Sequence, residues 1–415
     1  MAVLRAFKAI RPTKDKAAAV AALPYDVLST KEAREIVKQN PISFLRIDKA
    51  EVDLPEGTDL YSDEVYLKAK ENLESYINDG IFIQDEKPCL YIYRQIMDGR
   101  AQTGIVGCLS IDDYVNNVIK KHELTRADKE VDRFRHVDTC DAHTGPIFIT
   151  YKGGGSIDEI IAKYEKTEPE YDFVSCQGVR QIVWIVSDET DINRIIEEFK
   201  KINSLYIADG HHRSASAVHV GLKRRKELGS YTGEEEFNFF LAVVFKCEEL
   251  KLMDYNRLLK DSENRSAEEI IRLSEKNFYV TEKGAENFRP SEKHTFGLYL
   301  DGLWYELRAK DGTFDENDPV DRLDVTILQK NFIAPVFGIE DPRTDDRIDF
   351  VGGIRGLDGL KRRVDENGWR AAVAMYPTTI DDLMSISDAG LIMPPKSTWF
   401  EPKLLSGLFI HKLSD

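Results

Sequence analysis

The stretch Leu205-Tyr206-Ile207-Ala208-Asp209-Gly210-His211-His212-Arg213-Ser214 constrains this chain more than any other. A short apolar run of strand length stops at a glycine and continues as small residues to Val218, a pattern that reads as strand, tight turn and helix. Asp209 falls at the carboxyl end of the strand, His211 and His212 follow Gly210, and Arg213 opens the helix. A helix start offers unpaired N–H groups and the positive end of the helix dipole, so a phosphate fits there. An Asp-Gly turn with surface histidines explains the same residues without a ligand.

The neighbouring segments supply an α/β layer. Gln181 to Val186 reads as a strand, Asp191 to Ile202 as an amphipathic helix, and Asn238 to Phe245 as a buried strand. Gly145-Pro146 breaks the chain before a strand from Ile147 to Tyr151. Gly153, Gly154 and Gly155 look like a phosphate loop, yet no GK[ST] follows, and Ser156 with Glu159 forms a capping box that accounts for the turn.

Towards the N-terminus, Val3 to Ile10 reads as a strand and Lys14 to Ala22 as a short helix. Pro24-Tyr25-Asp26-Val27 is then a rigid loop, and Ser29 with Glu32 caps a helix from Lys31 to Gln39. Asp26 is a structural cap or a general base. Ser43 to Ile47 reads as a strand carrying Arg46, which is a surface charge or an anion contact. Leu60 to Asp79 has helical spacing, while Cys89 to Ile96 and Thr103 to Ile111 alternate as a hairpin. Val115 to Arg135 reads as a charged helix on which His122 and Thr125 share a face with Lys129, and Asp132 and Arg133 follow one turn on, so that one side presents a polar stripe of mixed charge. His122-Glu123 begins like a zinc-protease helix, but position 126 is Arg where a second His is required. A solvated face explains that stripe.

A net charge of -16 argues against a nucleic-acid or membrane surface. The 415 residues suffice for two or three domains, and 42% hydrophobic with 31% charged is ordinary globular composition. Five scattered cysteines make neither a CxxC pair nor a disulfide framework, which fits a reducing cytoplasm. No apolar run reaches membrane-span length, and the N-terminus lacks a signal-peptide core.

In the last third, Ala267 to Glu275 and Val320 to Ile333 read as helices, and Thr295 to Leu300 and Leu303 to Ala309 as strands. Composition changes near Asp261, which places a boundary between residues 1–260 and 261–415. Met393-Pro394-Pro395-Lys396-Ser397-Thr398-Trp399-Phe400 is a second concentrated stretch. Its prolines fix a loop that offers one ammonium and two hydroxyls to a phosphate or carboxylate.

LPYDV at 23–27, NPISFLRI at 40–47, KHELT at 121–125, GPIFITY at 145–151, YIADGHHRSASA at 206–217, MDYNRLLK at 253–260 and MPPKSTWFEPKLLSGL at 393–408 follow one another in the order of a known family. The chain resembles the family catalogued as domain of unknown function 1015, and the DGHHR turn is similar to that of archaeal ADP-dependent free serine kinases. The resemblance implies a mixed α/β fold with a ParB/sulfiredoxin-like catalytic core and an additional α+β domain, whose MPPKSTWF loop closes on the site. Residues 136–144 depart from the arginine-containing version usual in that family.

The same resemblance implies phosphorylation of free L-serine to O-phospho-L-serine, with pyrophosphate, ATP or ADP as donor and Mg²⁺ or another divalent cation as cofactor. Phosphoryl transfer needs positive charge at the equatorial oxygens, an aligned hydroxyl and a base. Arg213, His211, His212 and Lys396 can supply the charge, Asp26 or Glu123 the base, and Asp209 a ligand for Mg²⁺. Tyr25, Arg46, His122, Thr125, Gly210, Ser214, Ser397 and Thr398 are the accompanying candidates for phosphate or substrate binding. A metal-dependent phosphohydrolase and a nucleotide-binding ParB-like module are the other classes, and a homodimer is left open.

Overall fold

The computed structural model describes residues 1–153 and 155–414. They form two compact units, one of Met1–Lys121, Thr125–Leu250 and Pro402–Asp415, the other of His122–Leu124 and Lys251–Glu401. The division expected at residue 260 thus falls ten residues earlier, and the chain from Pro402 returns to the first unit. Gly154 lies outside the described residues.

The first unit is built on a mixed sheet of nine strands among the described residues. Its order is Ile119–Lys120, Leu205–Asp209, Ile147–Tyr151, Phe239–Lys246, Arg100–Ser110, Leu90–Met97, Arg180–Val186 and Tyr171–Val174, with Leu4–Arg5 added beside Arg100–Ser110. Two pairings are parallel, Leu205–Asp209 on Ile119–Lys120 and Phe239–Lys246 on Ile147–Tyr151. The central strands read as continuous apolar runs because both faces are covered. Ile92, Ile105, Ile149, Ile207, Phe240 and Val244 join one core with Ile160, Ile195, Phe199 and Val218 from the helices. A second cluster gathers Val20, Phe44, Leu45, Ile47, Leu73 and Tyr76 with Ile410.

The second unit contains an antiparallel sheet in the order Phe278–Gly284, Leu303–Ala309, Thr295–Leu300, Ala371–Ala374, Tyr255–Leu259 and Ile348–Gly352. Leu258, Tyr299, Trp304, Leu360 and Ala372 fill its core. The mixed α/β class expected from the sequence is the one observed. No helix among the described residues is long and apolar enough to cross a membrane.

Several local expectations are corrected. Ser43 to Ile47 is not a strand: Leu45–Asp48 is one helical turn that buries Leu45 and Ile47. The helix expected from Val115 to Arg135 is three pieces, a helix Ile111–Val115, a strand Ile119–Lys120 and a helix Ala127–Cys140. Pairing of Ile119 with Leu205 overrides the local helical spacing there. His122 and Thr125 therefore share no helix face with Lys129. Ser156 does not close a capping box with Glu159, since its hydroxyl bonds Glu198 instead, at 3.1 Å. Val3 to Ile10 is interrupted, with strands only at Leu4–Arg5 and Ile10–Pro12. Val320 to Ile333 is likewise a helix Asp324–Leu328 followed by one wider turn, Gln329–Ile333.

Candidate functional site

The strand Leu205–Asp209 ends at Gly210, which adopts φ 96° and starts the helix His211–Leu228. Glycine is required there on two counts. The backbone lies in the left-handed region, and a Cβ would meet the Arg213 guanidinium at 3.2 Å. Gly210 has no side chain to cap the first turn of that helix.

Arg213 folds back over the turn. Its Nη1 donates to the Pro146 carbonyl, and its Nη2 lies 3.7 Å from Asp209. Asp209 accepts from the Gly210 N–H at 3.0 Å, and Lys403 Nζ stands 3.5 Å from its other oxygen. Burial pushes the Asp209 carboxyl up, yet Lys403, Arg213 and His211 outweigh it and hold the group well below the usual carboxylate range.

Arg213 also lines a cleft with Tyr25, Asp48, Arg133, His136, His143, Thr144 and Ser406. Arg133, on the helix Ala127–Cys140, lies 4.0 Å from the Tyr25 ring centre and 2.9 Å from Asp132. Burial works against its charge, but Asp132, Tyr25 and Asp48 hold its pKa above the ordinary arginine value. Asp132 also accepts from the Tyr66 hydroxyl at 2.9 Å, so the guanidinium is fixed by a second layer. Asp48 is buried and accepts from Thr144 Oγ1 at 2.8 Å. His136 donates through Nε2 to the Ile47 carbonyl at 3.0 Å, while burial and the Arg133 charge push its pKa down, keeping the ring neutral. Two cations thus line one cleft, an arrangement whose charge and donors suit an anion with several oxygens.

The remaining expected site residues fall into two groups. In the first unit, Asp26 is exposed on the turn next to Tyr25. His212 accepts the Arg126 N–H on Nε2 at 3.0 Å, so its ring is neutral and anchors a loop rather than supplying charge. Ser214 gives its hydroxyl to the carbonyls of Gly210 and His211 at 3.1 and 3.0 Å. Thr125 bonds Glu130 at 2.7 Å. Arg46 is held by Asp53 at 2.9 Å and by the Pro41 carbonyl, which favours a structural role over an anion contact.

In the second unit, the His122 carbonyl accepts from the Met393 N–H at 2.8 Å, and Thr398 Oγ1 lies 3.5 Å from His122 Nε2. Glu123 belongs to the same unit. Lys396 takes a left-handed φ of 59°, and its carbonyl accepts from the buried Arg257 at 3.1 Å. Burial pushes the Arg257 guanidinium down to about 10. Ser397 donates to the Pro394 carbonyl at 2.6 Å. Trp399 packs so closely on Gly352 that a Cβ there would come within 2.5 Å of the indole.

For a divalent cation the first unit offers Asp209, ionised but already flanked by Lys403 and Arg213. Mg²⁺ wants six oxygens and is usually held by one or two carboxylates together with substrate phosphates. The donor set therefore fits a cation that arrives with a polyphosphate, not a resident one.

Sequence reasoning missed Asp48, His143, Lys403 and Ser406. No local pattern marks them: Asp48 follows a misread turn, and the other three reach the site through residues distant in the chain.

Among solved structures, a conserved hypothetical protein from Pyrococcus furiosus aligns with a TM-score of 0.35 and 14% identity, over 74% of this chain and 94% of its own. A mutant free serine kinase in complex with AMP gives 0.37 and 12%, over 74% and 92%. SbnI with C-terminal truncation from Staphylococcus aureus gives 0.36 and 10%, over 72% and 85%. No curated protein matches the chain. Residues 4–326 match the model of the family described as "Protein of unknown function (DUF1015)", and the chain belongs to that family.

Proposed function

We propose that this protein is a phosphotransferase that phosphorylates the hydroxyl of free L-serine to O-phospho-L-serine, with pyrophosphate, ATP or ADP as donor. The observation that carries the reading is the convergence of Arg133 and Arg213 on one cleft at the first turn of the helix His211–Leu228. Such fixed cations offset charge on the equatorial oxygens of a phosphoryl group in flight. The choice of serine rests on the motif resemblance set out above.

In the transfer, the serine Oγ forms a bond to the terminal phosphorus while the bond from phosphorus to the leaving phosphate oxygen breaks. Asp26 takes the hydroxyl proton, and the leaving phosphate keeps the electron pair. Arg213 and Arg133 hold the phosphate oxygens. A divalent cation bound with the donor would add positive charge beside Asp209.

Incubation with Mg²⁺, L-serine and each of ATP, ADP and pyrophosphate, with phosphoserine measured by mass spectrometry, tests the reading. Phosphoserine with at least one donor is expected. Its absence with all three rejects the assignment, and phosphate release without serine would instead favour a phosphohydrolase.

A further inference from the structure

Among the described residues three arginines are buried, Arg11, Arg133 and Arg257. Two of them have carboxylates: Arg11 lies 2.8 Å from Asp85 and 2.7 Å from Glu170, and Arg133 lies 2.9 Å from Asp132. Arg257, in the second unit, is 4% exposed and pairs with no carboxylate among the described residues. A charge taken out of water without a counter-charge is costly, which is why buried arginines are paired as a rule.

The acidic side chains on this stretch of sheet are committed elsewhere. Asp254, just before the strand Tyr255–Leu259, pairs with Arg289 and accepts from Asn256 at 2.6 Å. Asp349, on the neighbouring strand Ile348–Gly352, pairs with Arg363 at 2.9 Å. What Arg257 does touch is uncharged. Its Nη1 donates to the Tyr255 carbonyl and its Nη2 to the Lys396 carbonyl. Its Cζ lies 4.7 Å from the centre of the Phe350 ring and 5.7 Å from that of Tyr255.

These contacts leave the guanidinium unfinished. It has five N–H groups, of which the two carbonyls use two, so Nε–H and one N–H on each Nη are left for a partner. Carbonyl dipoles and aromatic faces offset part of the charge without cancelling it. With its pKa at about 10, the group stays ionised at neutral pH. A second cation belongs to the same neighbourhood: Lys396 is exposed, and its Nζ lies 5.9 Å from the centre of the Tyr255 ring. Its loop is pinned there by Arg257 and by Thr378, whose hydroxyl donates to the Ser397 carbonyl at 2.7 Å.

The geometry points to an anion-binding site in the second unit, with Arg257 as its anchor and Lys396 as its second cation. A planar fork of donors matches two oxygens of one group, so the ligand class is an oxyanion, a phosphate or a carboxylate. Every residue named lies between Lys251 and Glu401, and the site stands whether or not the first unit transfers phosphate.

The test uses the full chain labelled with ¹⁵N-arginine. The Arg257 Nε–H is assigned by its nuclear Overhauser contacts with the Phe350 ring, so no variant is needed to find it. Sodium phosphate should shift this resonance saturably at constant ionic strength, and sodium chloride should not. Sodium acetate divides the sources: a shift with phosphate alone assigns a phosphoryl group, with acetate alone a carboxylate, and with both an oxyanion of either kind. Lys396→Ala should weaken the tighter of the two by roughly tenfold, the worth of one charge-assisted hydrogen bond. The shift should persist in Arg213→Ala, whose first-unit cleft lacks one cation.

A resonance that neither oxyanion moves, or that chloride moves as far, overturns the inference, and Arg257 then serves only to hold the Lys396 carbonyl. Loss of the shift in Arg213→Ala overturns it too, by assigning the effect to the first unit. Unchanged affinity in Lys396→Ala overturns the place given to that lysine. Phosphoserine formation by the same sample reports on the transferase alone, so either proposal can fail without the other.

Discussion

Lys403 Nζ lies 3.5 Å from Asp209 Oδ2, so a lysine from the far end of the chain neutralises the carboxylate at the head of the central turn. Burial alone would raise the Asp209 pKa, and Lys403 and Arg213 reverse that. A depressed folded-state pKa stabilises the fold above the unfolded value of about 4, and that stability disappears as pH falls through the lower folded value. Acid unfolding followed by circular dichroism should therefore begin at higher pH in Lys403→Met than in the parent protein. A ¹³C titration of the Asp209 carboxyl should show the same displacement, and identical titrations would remove Lys403 from the account.

Arg213→Ala is expected to lower serine phosphorylation by about two orders of magnitude or more, because its fixed donors offset charge that grows during transfer. Arg133→Lys keeps the charge but loses the flat contact with Tyr25 and the pairing with Asp132, and should cost at least about tenfold. Unchanged kcat/KM in both variants, with folding checked by circular dichroism, would move the site elsewhere.

Gly210→Ala should destabilise the first unit by about 1–2 kcal/mol, the cost of a side chain in the left-handed region. The new methyl would also displace Arg213, which stands 3.2 Å from the Cβ position. Urea unfolding measures the first effect. A rise in the donor KM beyond that of a destabilised variant with an intact turn measures the second.

His212→Ala removes the acceptor of the Arg126 N–H. Amide exchange at Arg126 should accelerate by about tenfold or more, in line with the loss of one hydrogen bond. Unaltered exchange there would mean that the ring does not anchor the loop.

The donor question yields a direct comparison. Neither GK[ST] nor GxGxxG occurs in the chain, and the segments proposed to contact phosphate are short and rich in charge. Pyrophosphate is expected to support serine phosphorylation at least as well as ATP or ADP at matched Mg²⁺. A kcat/KM with pyrophosphate far below that of a nucleotide would reject the donor and leave the transferase intact.

The central turn was legible because its signals are local. An apolar run, a glycine at positive φ and a helix of small residues occupy consecutive positions, and the Ser29–Glu32 capping box is equally self-contained. Leu45–Asp48 was misread because a segment of five residues, Ser43 to Ile47, is too short to show a helical period, and packing of Leu45 and Ile47 decided its form. The segment around His122 was misread because a two-residue strand takes its identity from Leu205, far along the chain. Arg133 was visible as a charge on a helix. Its partners Asp48 and Tyr25 come from other segments, so a solvated stripe was the simpler reading.

The ribbon that joins His143 to His411 has a consequence for the order of synthesis. Residues 1–250 leave the ribosome well before residues 402–414, with Lys251–Glu401 of the second unit made in between. Until then the nascent first unit lacks Lys403, Ser406 and His411. Asp209 stands without one of its counter-charges, and the cleft without part of its wall. A chain built this way completes the wall of that cleft only after residues 402–414 have been made, so the fold of the first unit is closed by a segment distant from the rest of it in sequence.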